Sequence, residues 1–141
     1  GGAVPRGTPY LETDQPVPGN PGAFVRCALE SLALFYCVVL RQLEQLTGRN
    51  IERLNIVGGG SQNRLLNQFA ANALQLPVAA GPTESTALGN ILVQAIALGH
   101  LPSLAAAREV VRNSFEVETF KPQAASEWDK AFVRFESLLK R

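Results

Sequence analysis

Six consecutive residues, Gly58-Gly59-Gly60-Ser61-Gln62-Asn63, follow the short apolar run Leu54-Asn55-Ile56-Val57 and lead into a polar helix start. Glycine has no Cβ and tolerates positive φ, so three in a row let the backbone bend tightly and press against a ligand. A helix opening just behind them offers N–H groups and a partial positive charge, which favour phosphate oxygens. Ser61 and Asn63 add neutral donors and acceptors matched to ribose, phosphate or the edge of adenine. A tight strand-to-helix turn with no ligand is the other use of such a run.

Two familiar phosphate motifs do not match. A Walker loop needs Lys followed by Ser or Thr after its last glycine, and the only lysines are Lys121, Lys130 and Lys140. A dinucleotide fingerprint needs a third glycine where Asn63 stands and an acidic residue closing the second strand, which here reads Val78-Ala79-Ala80-Gly81. The surroundings are also short of catalytic groups. Between Leu54 and Ala107 the only acid is Glu84 and the only fixed positive charge is Arg64. Phosphoryl transfer needs a base or positioning group and acids that hold Mg²⁺, and glycoside hydrolysis needs two carboxylates. Neither set is present around the turn, so this is a binding half without a catalytic half.

The remaining reactive side chains fit structural roles. His100 has no acidic partner nearby in sequence, which argues against a serine triad and places it at the surface end of a helix. Glu84, in the first turn of its helix, is explained by the helix dipole. Cys27 and Cys37, ten positions apart on one helix, point in different directions and are expected to be free thiols. With a single histidine they make no metal site.

Composition bounds the rest. The chain has 141 residues, 46% of them hydrophobic, enough for one domain with a core. A net charge of +1 gives no footprint for nucleic acid. The uncharged run Ser31–Leu40 covers only ~15 Å as a helix, about half a bilayer, so no membrane span is expected. No basic start leads into an apolar leader, and a cytoplasmic protein is the expectation.

The elements that position the turn follow from periodicity. Residues 1–21, rich in Gly and Pro, form a lead-in loop, with Gly1-Gly2 open to being a cloning remnant. Residues 22–47 carry apolar positions at helical spacing and stop at Gly48. Ala33 to Leu40 is almost wholly apolar, so this helix should be covered on more than one side. Arg53–Val57 is a strand, and Ser61 or Gln62 opens a helix to about Leu74. Pro77–Ala80 is a second strand, and Thr83 caps a helix to about Leu98, ended by Gly99. Ser103 caps a further helix to about Asn113, Phe115–Phe120 is weakly extended, and Ala125–Leu139 is a last amphipathic helix. The result is an α/β arrangement whose two strands lie parallel. A two-stranded parallel sheet has open edges, so the chain is expected to be a piece of a larger protein.

Ile56-Val57-Gly58-Gly59-Gly60-Ser61-Gln62-Asn63, with Leu65-Leu66-Asn67-Gln68, Pro77-Val78 and the run from Glu84 to Gly89, resembles the C-terminal domain of the FGGY carbohydrate kinases, in the actin–hexokinase–Hsp70 superfamily. Ala80-Gly81-Pro82 and Gly89-Asn90-Ile91 look most like the branch that phosphorylates L-rhamnulose, as do the helix around Arg26–Leu34 and the lead-in Glu12-Thr13-Asp14-Gln15-Pro16. The resemblance implies a partial RNase H-like lobe over residues 22–141, helix-rich with a small parallel sheet and without its first strands. It implies that Gly59 and Gly60 approach ATP or ADP, that Ser61 and Asn63 lie near its ribose or adenine, and that Gly58 and Gln62 adjoin it. Gly89 would bring its helix near the nucleotide side, or serve tight packing. Mg²⁺, the sugar and the catalytic aspartate would belong to a lobe outside this chain, since neither Asp14 nor Asp129 has the family's catalytic context. On this reading the chain alone is inactive, and it self-associates through its open edges. The competing readings are a non-catalytic helical interaction module and a kinase of the same family acting on xylulose, fuculose or glycerol.

Overall fold

Asn20 starts the longest element of the computed structural model, which describes residues 18–123 and 125–139. Its Oδ1 accepts a hydrogen bond from the Ala23 N–H at 2.9 Å, and Pro21 follows where a helix needs no N–H donor. The helix α1 runs Pro21–Thr47 and stops at Gly48, whose φ of 64° and N–H bond to the Glu44 carbonyl close the last turn. Next come β1 (Leu54–Ile56), a 3-10 turn (Gly59–Gln62), α2 (Arg64–Leu74) and β2 (Val78–Ala80). Then follow α3 (Ser85–Ala97), α4 (Leu104–Ser114), β3 (Glu118–Phe120) and α5 (Ala125–Leu139). The expected lead-in loop lies almost entirely outside the described residues.

The sheet order is β1-β2-β3. β1 and β2 pair in parallel, Leu54 opposite Val78 and Ile56 opposite Ala80, as expected. β3 pairs antiparallel with β2, Val78 opposite Phe120 and Ala80 opposite Glu118. The sheet is therefore mixed, not purely parallel. The weakly alternating segment before residue 120 becomes a strand because it covers the outer edge of β2, a common fate for a last strand in such sheets.

One face of this sheet is packed. Leu54, Ile56, Val78, Ala80 and Phe120 meet Ala70 and Ala71 of α2, whose small side chains let the helix lie close. Behind α2, Ala33 of α1 packs on Leu66 and Phe69, while Leu34 and Cys37 pack on Phe132 of α5. The rings of Phe69 and Trp128 lie 5.3 Å apart, and the Arg41 guanidinium sits 4.1 Å over the Phe132 ring. Asn72 ties the approach to α5 by accepting from the Gln123 N–H at 2.9 Å.

Coverage of α1 differs from the expectation. Ala33, Leu34 and Cys37 are buried, but Phe24, Val25, Leu32, Phe35, Val39, Leu43 and Leu46 stay exposed. Among the described residues the buried stripe of the helix is Ala33, Leu34 and Cys37, with Leu29, Tyr36 and Val38 packed beside it. The helix is also longer than its apolar centre, and by length and composition it could cross a membrane, with a mean hydropathy of 1.9 over its most apolar window. Its Ala33–Cys37 stripe is seated on α2 and α5, as in a core helix.

Candidate functional site

The turn after β1 stands at the carboxyl end of the two parallel strands, where open α/β sheets place ligands. Its three glycines are not equivalent. Gly58 has φ 79° and ψ −167°, a conformation open in practice to glycine alone. Gly59 and Gly60 have no positive φ. A Cβ on Gly59 would meet nothing within 4 Å, and one on Gly60 would only touch Ile56 Cγ2 at 3.9 Å. Backbone conformation thus calls for glycine at 58, while internal packing leaves free space at 59 and 60.

The polar residues of the turn are largely engaged with it. The Ser61 hydroxyl donates to the Gly58 carbonyl at 2.8 Å, and the Ser61 N–H donates to the same oxygen at 3.0 Å. Asn63 Oδ1 accepts from the Leu66 N–H at 3.0 Å, so Asn63, itself exposed, caps α2. Helix α2 accordingly begins at Arg64, after a 3-10 turn, rather than at Ser61 or Gln62. The N–H groups of Gly58, Asn63 and Asn67 are also taken, by the carbonyls of Pro82, Gly60 and Asn63. Much of the N–H array that would cradle a phosphate is therefore satisfied internally.

A second turn stands beside the first. Gly81 N–H donates to the Ile56 carbonyl at 2.8 Å, and a Cβ on Gly81 would come within 3.0 Å of Val57 Cγ1. Gln62 Nε2 donates to Thr83 Oγ1 at 3.4 Å. Thr83 does not cap α3 as expected; Glu84 holds the cap position without a side-chain bond. Gly81, Pro82, Thr83 and Ser85 thus join the site, and the sequence signal for them was the glycine closing the second strand in parallel with Gly58. A groove of about 780 Å³ reaches these turns along the sheet, lined by Asn55, Val57, Ala79 and Gly81 and by the arginines Arg53, Arg108 and Arg112.

Residues 58–63 carry no charged side chain. Arg64, the only fixed positive charge in sequence between β1 and α4, is held by Glu118 at 2.6 Å and lies 6.0 Å over the Phe120 ring, whereas Arg53, Arg108 and Arg112 line the neighbouring groove. Glu84 is the only acid between β1 and α4. Among the described residues no three His, Cys, Asp or Glu side chains gather to hold a metal. His100 sits exposed just beyond α3, its N–H bonded to the Ala95 carbonyl. A Cβ on Gly89 would meet nothing within 4 Å, so packing among the described residues does not account for that glycine.

The FGGY family of carbohydrate kinases, C-terminal domain, matches residues 5–98. The chain belongs to that family. A rhamnulokinase of Bacteroides thetaiotaomicron is 46% identical over 128 residues, covering 91% of this chain and 26% of that protein. A rhamnulokinase of Enterococcus faecalis is 46% identical over 132 residues, covering 92% and 26%, and one of an Enterobacter species is 43% identical over 125. The fold is also that of a xylulose kinase from Rhodospirillum rubrum, with a TM-score of 0.70 at 24% identity, over 89% of this chain and 26% of that one. This FGGY domain therefore spans about a quarter of the length of the relatives it matches, with the helix-rich, actin- and hexokinase-like architecture and a small mixed sheet.

Proposed function

We propose that residues 22–141 are the nucleotide-binding part of an ATP-dependent sugar kinase that phosphorylates a ketose, L-rhamnulose before xylulose, fuculose or glycerol. The observation that carries this reading is the free space at Gly59 and Gly60, where glycine serves no internal contact. Adenosine would lie along that backbone, with Asn63 Nδ2 and the Gln62–Thr83 pair at its polar edge. Gly58 shapes the turn, and Ser61 closes it from within. The parent enzyme would transfer the γ-phosphoryl group to a sugar hydroxyl. Mg²⁺, the sugar and the catalytic base would be held by residues outside this chain, since the turn offers no carboxylate pair. The 46% identity to rhamnulokinases supports L-rhamnulose as substrate, and a cytoplasmic location follows from that metabolic role.

Hydrogen exchange on the full-length kinase, with and without ADP, tests the site. Slower exchange across residues 58–63 on adding ADP is expected; protection confined to other segments would contradict it. Assaying the same enzyme with L-rhamnulose, xylulose, fuculose and glycerol tests the sugar, and a preference for any but L-rhamnulose would contradict that part of the reading. The present chain alone, even in tenfold excess, should turn over no ATP with L-rhamnulose. Light scattering should show it self-associating, through the exposed side of α1 and the free edge of β1, and a strict monomer would count against that.

A further inference from the structure

Asn67 is wholly buried, a polar side chain in the first turns of α2 with 0% exposure. Its Nδ2 donates to the Ser61 carbonyl at 2.8 Å. Ser61 in turn closes on the Gly58 carbonyl through both its N–H and its hydroxyl. A line of hydrogen bonds therefore runs from the core, through Asn67 and Ser61, to the left-handed glycine. Gly59 and Gly60 hang between the two ends that this line fixes.

The other half of the amide does not explain its presence. Asn67 Oδ1 is buried and accepts no hydrogen bond among the described residues. An orphaned buried acceptor is destabilising, and a leucine of similar volume would carry no such penalty. Asparagine is also a weaker helix former than leucine. An amide at this position is justified by the one bond it makes, and that bond goes to the turn.

We infer that Asn67 is a positioning residue, which holds the Gly58–Ser61 arc in the shape that receives the nucleotide. It touches no ligand itself. The inference rests on the nucleotide reading of the turn, and the two can fail separately.

Asn67→Leu and Asn67→Asp in the full-length kinase provide the test. Leucine removes the donor and the orphaned acceptor together and keeps the volume, so the melting temperature should stay within ~3 °C. Amide exchange at residues 59–61 should quicken about tenfold, and KM for ATP should rise about tenfold, the equivalent of one lost hydrogen bond. The kcat and the sugar KM should stay within about twofold, because only nucleotide binding uses this arc. Aspartate sets a charged oxygen against the Ser61 carbonyl when ionised, but donates when protonated. Its ATP KM, relative to wild type at each pH, should therefore fall as pH drops from about 8 to about 5.5.

Unchanged exchange and unchanged ATP KM in Asn67→Leu, with no pH-dependent recovery in Asn67→Asp, would overturn the inference. Faster exchange at 59–61 without any change in ATP KM would also overturn it, by separating the arc from the nucleotide. Gly59→Val, tested alongside, reports on the nucleotide reading itself. If that variant lowers ATP affinity while Asn67→Leu does not, the turn binds nucleotide without help from Asn67.

Discussion

Two strand-to-helix turns leave the same edge of the sheet and are built in opposite ways. After β1, Asn63 caps α2, Ser61 and Asn67 tie the turn to the core, and α2 buries six residues, including Leu66, Phe69 and Ala70. After β2, α3 begins without a side-chain cap and buries none of its residues. Its apolar Ile91 and Val93 are more than 60% exposed, and it packs mainly on α4. The first turn is a platform made rigid from inside this chain. The second is an arm whose apolar face has no cover among the described residues.

The largest contrast should come from truncating one apolar side chain on each side. Phe69→Ala removes a ring buried against Trp128 and α1, and should cost about 3–5 kcal/mol of unfolding free energy in denaturant titration. Ile91→Ala on the exposed face of α3 should cost less than about 0.5 kcal/mol. Equal losses would erase the distinction.

A pH effect should follow on the platform side. Cys37 is buried, donates to the Ala73 carbonyl at 3.2 Å, and is pushed up to about 11 by burial, against the opposing pull of Arg41. A thiol raised in the folded state stabilises fully below its unfolded value and loses that contribution as pH climbs through the folded one. Stability should therefore fall by on the order of 2 kcal/mol between about pH 9 and about pH 11, and the fall should be absent in Cys37→Ala. Equal pH dependence in the two proteins would remove Cys37 as its source.

One glycine on each side should respond to alanine with opposite signs. Gly58→Ala forces alanine to φ 79° and should destabilise by about 1–3 kcal/mol in thermal unfolding. Gly89→Ala lies inside a helix with no neighbour to strike and should stabilise by about 0.5–1 kcal/mol. At the caps the contrast is smaller. Asn63→Ala should cost about 1 kcal/mol and Glu84→Ala only a few tenths, because only Asn63 makes a capping bond.

Much of the fold was legible in the sequence. The periodicity of residues 22–47, the stop at Gly48, the cap at Ser103 and the parallel pairing of the two apolar strands all follow from local chemistry, and all are present. The polar wiring was less legible. Asn63 reads equally well as a ligand donor or a cap, and only the position of the Leu66 N–H shows that its oxygen is used locally. Thr83 has the side chain of a cap, but the chain bends one residue later and its hydroxyl meets Gln62, 21 positions away. Long-range partners of this kind carry no periodic signal. The return of β3 was hidden for the same reason, since three residues of weak alternation acquire meaning only beside β2. The exposed side of α1 is the converse case: Val25, Leu32, Phe35 and Leu46 are apolar and yet stay exposed among the described residues.

The central claim is that the open glycines after β1 receive the nucleotide. Gly59→Val in the full-length kinase addresses it most directly, because the added side chain meets nothing of the protein's own within 4 Å at its Cβ. The account predicts an unchanged melting temperature, an unchanged sugar KM and at least a roughly tenfold rise in KM for ATP, a loss of about 1.4 kcal/mol or more. A folded Gly59→Val enzyme with the ATP KM of the wild type would contradict it.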